Sequence, residues 1–153
     1  MRNETASEDV DLDRSIHALN KLLKAEIAAV TSIRIAADTI ADEGVRLKVD
    51  DCRTSHESRV ILLRKQIAFL GGSPVDEPGL RGNMAKVLTS GAKAFGLRAI
   101  LSTLRDAETR TVRRYEESLD KLDPRSRGLV EQELLPAQRQ TEEIIATLGQ
   151  MVH

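Results

Sequence analysis

From Asp13 onward, Ile16, Leu19, Leu23, Glu26, Val30, Ile33, Ala37 and Ile40 stand alternately three and four residues apart. That spacing draws one stripe along a helix and predicts a bundle seam interrupted by a single carboxylate. Asp13 is the expected N-cap, residues 1–12 are expected to form a disordered lead-in, and Gly44 is the expected stop. A second stripe follows through Val45, Val49, Cys52, His56, Val60, Leu63, Ile67 and Leu70, closed by Gly71-Gly72 and Pro74. The short link makes the first two helices an antiparallel hairpin.

A third stripe uses Leu97, Leu101, Leu104, Glu108, Thr111, Tyr115, Leu119 and Leu122, and Asp123-Pro124 ends it and opens a fourth helix. Val130, Leu134, Ala137, Thr141, Ile144, Leu148 and Met151 form the last stripe, with Pro136 expected to kink it. Gly71 to Gly96 is too long for a tight turn and can run the length of a bundle. Met84, Val87, Leu88, Gly91 and Phe95 predict a short amphipathic helix within it. The expected fold is an all-α four-helix bundle, two antiparallel hairpins joined by a long crossover, with one domain over residues 13–152.

Composition narrows the function classes. The 153 residues suffice for a core without disulfides, and 41% hydrophobic with 31% charged suits amphipathic helices. Net charge is −1 with interspersed signs, and Arg105, Arg110, Arg113 and Arg114 lie among Asp106, Glu108, Glu116 and Glu117. No nucleic-acid surface is expected. Basic residues in and just after the crossover (Arg81, Lys86, Lys93 and Arg98) raise membrane-surface contact, but packing across the bundle edge is the simpler reading. No run approaches a membrane span and no secretory signal is visible, so a cytoplasmic location is expected. The lone Cys52 fits a reducing compartment; it is a core thiol, a metal ligand or an imidazole-activated thiolate. His17 and His153 are expected to be exposed.

Each stripe carries one polar residue near its middle: Glu26, His56, Glu108 and Thr141. A carboxylate in an apolar seam must be paired, protonated or bound to a cation. Pairing has candidates: Glu26 with Arg53 or Arg59 across the hairpin, and Glu108 with Arg105 or an arginine of another helix. His56 as a hydrogen-bonded core histidine and Thr141 bonded to its own helix complete that reading.

Hairpin, crossover, hairpin, together with the segments LNKLLKAEIAAV, SHESRVILLRKQIAFLGG and LLPAQRQ, resembles the ferritin-like superfamily, especially small bacterial ferritin-like bundle families of unknown function. The resemblance covers roughly Asp13 to Met151. It implies a two-metal site in which two helices each give a Glu and two each give Glu-x-x-His. Glu26, His56 and Glu108 match that pattern, with Glu142 as a substitute ligand in the last helix. Arg53 stands where the Glu before His56 is expected, and Gln138 and Thr141 have ligand spacing without ligand type. Tyr115 is a neighbour of the site. Measured from Gly44, His56 also stands several residues nearer the link than Glu26, so an axial offset between them is expected. The incomplete set argues against catalysis. The expected function is therefore a ferritin-like bundle holding iron or another divalent metal through a reduced site. The alternative is a metal-free, non-catalytic bundle acting as a homodimer, another homo-oligomer or a partner-binding module.

Overall fold

The computed structural model describes residues 2–77 and 96–152, with side chains from residue 8 onward except Val10. Among the described residues the chain is helical and contains no strand. Helix α1 spans Arg2–Thr39, α2 Glu43–Phe69 and α3 Leu97–Ser118, followed by a 3-10 turn at Leu119–Lys121. The fourth bundle helix is continuous but composite: α4 Pro124–Leu129, a π-helical turn Val130–Leu134, and α5 Leu135–Met151. The expected crossover helix falls outside the described residues.

Two boundaries differ from expectation. α1 begins at Arg2, so Asp13 lies inside it and the expected lead-in is helical from residue 2; Asp11, Leu12 and Asp13 are exposed. The first link is Ile40–Asp42 rather than Gly44. Asp42 caps α2 by accepting a 2.9 Å hydrogen bond from Val45 N–H, which draws Gly44 into the first helical turn. Glu26 and His56 are then equally far in sequence from Ala41, the middle of the link, and the expected axial offset between them disappears.

α2 ends as the double glycine predicts. Gly71 N–H donates to Ala68 O at 3.0 Å and Gly72 N–H to Ile67 O at 2.9 Å, with Gly71 at φ +84°. This is a Schellman stop, which needs a left-handed residue just past the cap. The outgoing chain is then held by Asn20 of α1, whose amide donates to Ser73 O and accepts from Val75 N–H.

Two apolar clusters fill the bundle. One gathers Ile33, Ala36, Ile40, Val49, Cys52, Leu101, Leu104, Ile145 and Leu148 near the first link. The other gathers Leu19, Leu23, Leu63, Ile67, Val112, Tyr115, Val130 and Leu134 at the opposite end. α2 thus ends where α3 does, and α3 begins beside the first link. The described helices run up, down, down, up. Ser15 of α1 closes the far end by donating to the Asp123 carboxylate, while its hydroxyl accepts from Asp123 N–H at 3.0 Å.

Around Pro136, where a kink is expected, the fourth helix departs from regular α geometry. The proline follows directly on the π turn, whose wider ring accommodates a residue that lacks an N–H and crowds the preceding carbonyls. Leu134 and Leu135 are both buried there, and the seam continues through Gln138, Thr141, Ile145 and Leu148. Ala137 and Ile144 are displaced to half-buried flanks and Met151 is exposed.

A Cβ at Gly72 would stand 2.7 Å from Ile16 Cγ2 and 3.1 Å from Ile67 Cγ2. Gly72→Ala should therefore push Ile16 off the end of α2 and destabilise the protein by about 1–3 kcal/mol in urea unfolding. An unchanged midpoint would contradict this packing.

Candidate polar centre

The four seams meet in a polar layer between the two apolar clusters. α1 contributes Glu26, α2 His56 and Arg59, α3 Glu108 and Tyr115, and α5 Gln138 and Thr141. All seven are buried, and Glu26, His56, Tyr115 and Gln138 have no exposed surface.

His56 is the link between the carboxylates. Its Nδ1–H donates to Glu26 Oε2 at 2.5 Å and its Nε2–H to Glu108 Oε1 at 2.9 Å. The remaining oxygens are also occupied. Glu26 Oε1 accepts from Arg59 Nε at 2.9 Å and from Tyr115 OH at 2.6 Å. Glu108 Oε2 accepts from Gln138 Nε2 at 2.6 Å and Thr141 Oγ1 at 3.0 Å. Arg59 further donates to Ser55 Oγ at 2.8 Å and Gln138 Oε1 at 2.9 Å, and its Nη2 lies 2.7 Å from His56 Nδ1. Among the described residues no buried side-chain polar atom lacks a partner.

Charge closes as well as hydrogen bonding. Burial alone would lower the His56 pKa, but the facing Glu26 and Glu108 carboxylates outweigh it and raise it to about 9. Burial would raise Glu26, yet His56, Arg59 and the Tyr115 hydroxyl hold it below its ordinary value. Burial beside Glu26 pushes Tyr115 well up, so the phenol keeps the proton it donates. Two carboxylates face an imidazolium and a guanidinium, and the layer is neutral.

The structure thus brings together Glu26, His56, Glu108, Tyr115, Gln138 and Thr141 and leaves out two expected members. Arg53 lies on the outer side of α2, where it pairs with Asp50 and Glu57 of its own helix, both contacts at 2.7 Å. Glu142 is half-buried and does not join the layer. Arg105 is exposed and neutralises nothing there. Gln138, which the sequence places at ligand spacing without ligand type, is central, and the π turn stands just before it in the fourth helix. Cys52 is a core thiol, its pKa pushed up to about 12 by burial and then by Glu108, too high for a reactive thiolate.

Arg59 is the member that pattern reading assigned too little. The signal was present: Val49, Cys52 and His56 continue in three-four alternation to Arg59, Leu63 and Gln66. Following Val60 instead hides the cation. A helical side chain leans toward its own N-terminus, so an arginine one turn after His56 reaches back over the ring.

Helix order and a polar layer shared by all four helices define a ferritin-like bundle. A solved structure described as a ferritin-like, diiron-carboxylate protein from Bacillus anthracis is similar to it at a TM-score of 0.73 and 19% identity. The match covers 90% of this chain and 96% of that chain. The family itself comes from the sequence: residues 14–121 match the model of a domain of unknown function, DUF2383, and this chain belongs to that family. No curated protein matches it.

A two-metal centre does not fit the residues present. Glu26, His56 and Glu108 touch in a row, with His56 in the middle, rather than surrounding a common point. Among the described residues no three His, Cys, Asp or Glu side chains are grouped to hold an ion. A permanently charged guanidinium lies against the Glu26 carboxylate, where a second cation would be repelled.

Stability should follow the titration of this layer. The His56 contribution is complete below the ordinary 6.5 and is lost as pH rises through about 9. The Glu26 contribution is present above its ordinary 4.5 and is lost as pH falls through its lowered folded value. Unfolding free energy from urea titrations should therefore drop by on the order of 3 kcal/mol from pH 6 to pH 9. His56→Gln should remove that slope, and a flat profile in the natural sequence would refute the buried imidazolium.

Proposed function

We propose that this protein is a non-catalytic, metal-independent ferritin-like bundle that works by association, with a second copy of itself as the partner. The observation that carries this reading is the closure of the central layer: every carboxylate oxygen, both imidazole nitrogens and the guanidinium are engaged within the chain. Such a layer has no open donor for a substrate. It fixes helix register instead, because any shift would leave a buried charge unpaired, a loss of about 3–5 kcal/mol.

Function then falls to the surface. Leu47, Ile61 and Phe69 are 57%, 53% and 61% exposed. Their spacing, four turns and then two, sets them on one outward face of α2, and Arg125 lies 4.1 Å over the Phe69 ring. An interface on this face would leave the closed interior untouched.

A second reading holds that Glu26, His56 and Glu108 bind iron or another divalent metal. The diiron-carboxylate description of the similar Bacillus anthracis structure supports it, and the Arg59 guanidinium weighs against it.

Two measurements separate the readings. Protein soaked anaerobically in ferrous iron and desalted should carry no stoichiometric metal by mass spectrometry, and chelator should not change its melting temperature. Sedimentation equilibrium should show a dimer that Ile61→Asp converts to a folded monomer. One or two bound ions lost in His56→Ala would favour the metal reading. A natural chain that stays monomeric at high concentration would end the association reading.

A further inference from the structure

One groove on the surface collects cations without the carboxylates that neutralise them elsewhere. It lies between α1 and α3 at the end of the bundle away from the first link, with a volume of about 580 Å³. Arg14, Lys21, Lys24, Arg114 and Lys121 line it against one carboxylate, Glu117. On other faces arginines pair within their own helix, Arg53 with Asp50 and Glu57, and Arg127 with Glu131. Among the described residues none of the five groove cations is ion-paired. For Lys21 and Lys24 the reason is local: neither has an Asp or Glu three or four residues away, the spacings at which helical side chains meet. We infer that this groove binds a chain of phosphates, the group carried by inorganic polyphosphates and nucleoside triphosphates.

Shape and charge distribution select that class. Arg14, His17, Lys21 and Lys24 follow one another at steps of three and four and form one wall along α1. Arg114 of α3 and Lys121 of the turn after it form the other. Between the walls the floor is small and apolar, with Ala18 and Leu22 only 4% and 2% exposed. The charge is therefore strung along a line, from Arg14 to Lys24 over roughly 15 Å of helix axis, and a linear anion meets more of it than a compact one. The volume suits a small phosphorylated molecule rather than a lone phosphate. Arg14 and Lys121 share an adjoining hollow with Glu8, Asp11 and Asp120, so the positive field is strongest at Lys21, Lys24 and Arg114. A membrane presents its phosphates on a broad surface, which a groove sunk between two helices meets only at its rims. The lining takes nothing from α2, so binding here is independent of association through the α2 face.

The test is calorimetric titration of the full-length chain with tripolyphosphate, ATP and sulfate at about 0.15 M salt, where exposed charges are screened beyond about 8 Å. One tripolyphosphate should bind per chain, ATP should bind comparably, and sulfate should bind at least about tenfold more weakly. Lys21→Ala/Arg114→Ala should weaken tripolyphosphate binding by at least about tenfold. Arg34→Ala/Arg139→Ala removes two exposed cations that do not line the groove and should leave binding unchanged. All four side chains are exposed, so both variants should keep the natural melting temperature. Absence of saturable binding, equal weakening in the two variants, or sulfate binding as tight as tripolyphosphate would each overturn the inference. Cosedimentation with phosphatidylglycerol vesicles without saturable binding of the soluble anions would overturn it in favour of a membrane surface.

Discussion

Two carboxylates, an imidazolium and a guanidinium share one buried layer, and the placement of all four helices depends on their contact. Glu26, His56 with Arg59, Glu108, and Gln138 with Thr141 each come from a different helix of the bundle. An apolar seam tolerates small sliding, since one leucine packs against another in many ways. A buried carboxylate does not, because a displacement that breaks its bonds exposes it to the full loss of hydration. The apolar clusters on either side supply most of the burial energy, and the layer between them selects the register in which it is realised.

In the same layer, the buried carboxylates of a ferritin-like frame meet positive charge that belongs to the chain itself. Carboxylates converging at the centre of a bundle need positive charge. In this chain that charge is covalently attached, as Arg59 and the proton on His56. Arginine is suited to the task because its planar fork satisfies several acceptors at once and stays charged at any accessible pH. It also removes the coordination freedom that chemistry at a metal would require.

The π turn of the fourth helix is part of this design rather than a defect. It accommodates Pro136 and delivers Gln138 to the layer, where the side chain bridges Arg59 and Glu108. A regular helix with the earlier register would have presented Ala137 and left Glu108 with fewer donors. Asp42 has a comparable effect at the first link. By capping α2 before Gly44, it sets Glu26 and His56 opposite one another.

The bundle, its crossover topology and the convergence of Glu26, His56, Glu108 and Thr141 were legible in the sequence, because the three-four spacing of apolar residues is a local property of each helix. Single polar residues stand out within such a stripe. The partner of each charge was not legible. Arg53 and Arg59 lie one on either side of His56, and the choice between them depends on side-chain direction and on which residues face them from other helices. Gln138 was legible as a residue at ligand spacing but not as part of the buried stripe, because a π turn changes the period on which that stripe is read. The start of α1 at Arg2 lay beyond the apolar pattern altogether. Local periodicity determined the helices and their inner faces. Only tertiary packing decided which cation neutralises the buried carboxylates, because electrostatic pairing is settled by distance in space and not by spacing along the chain.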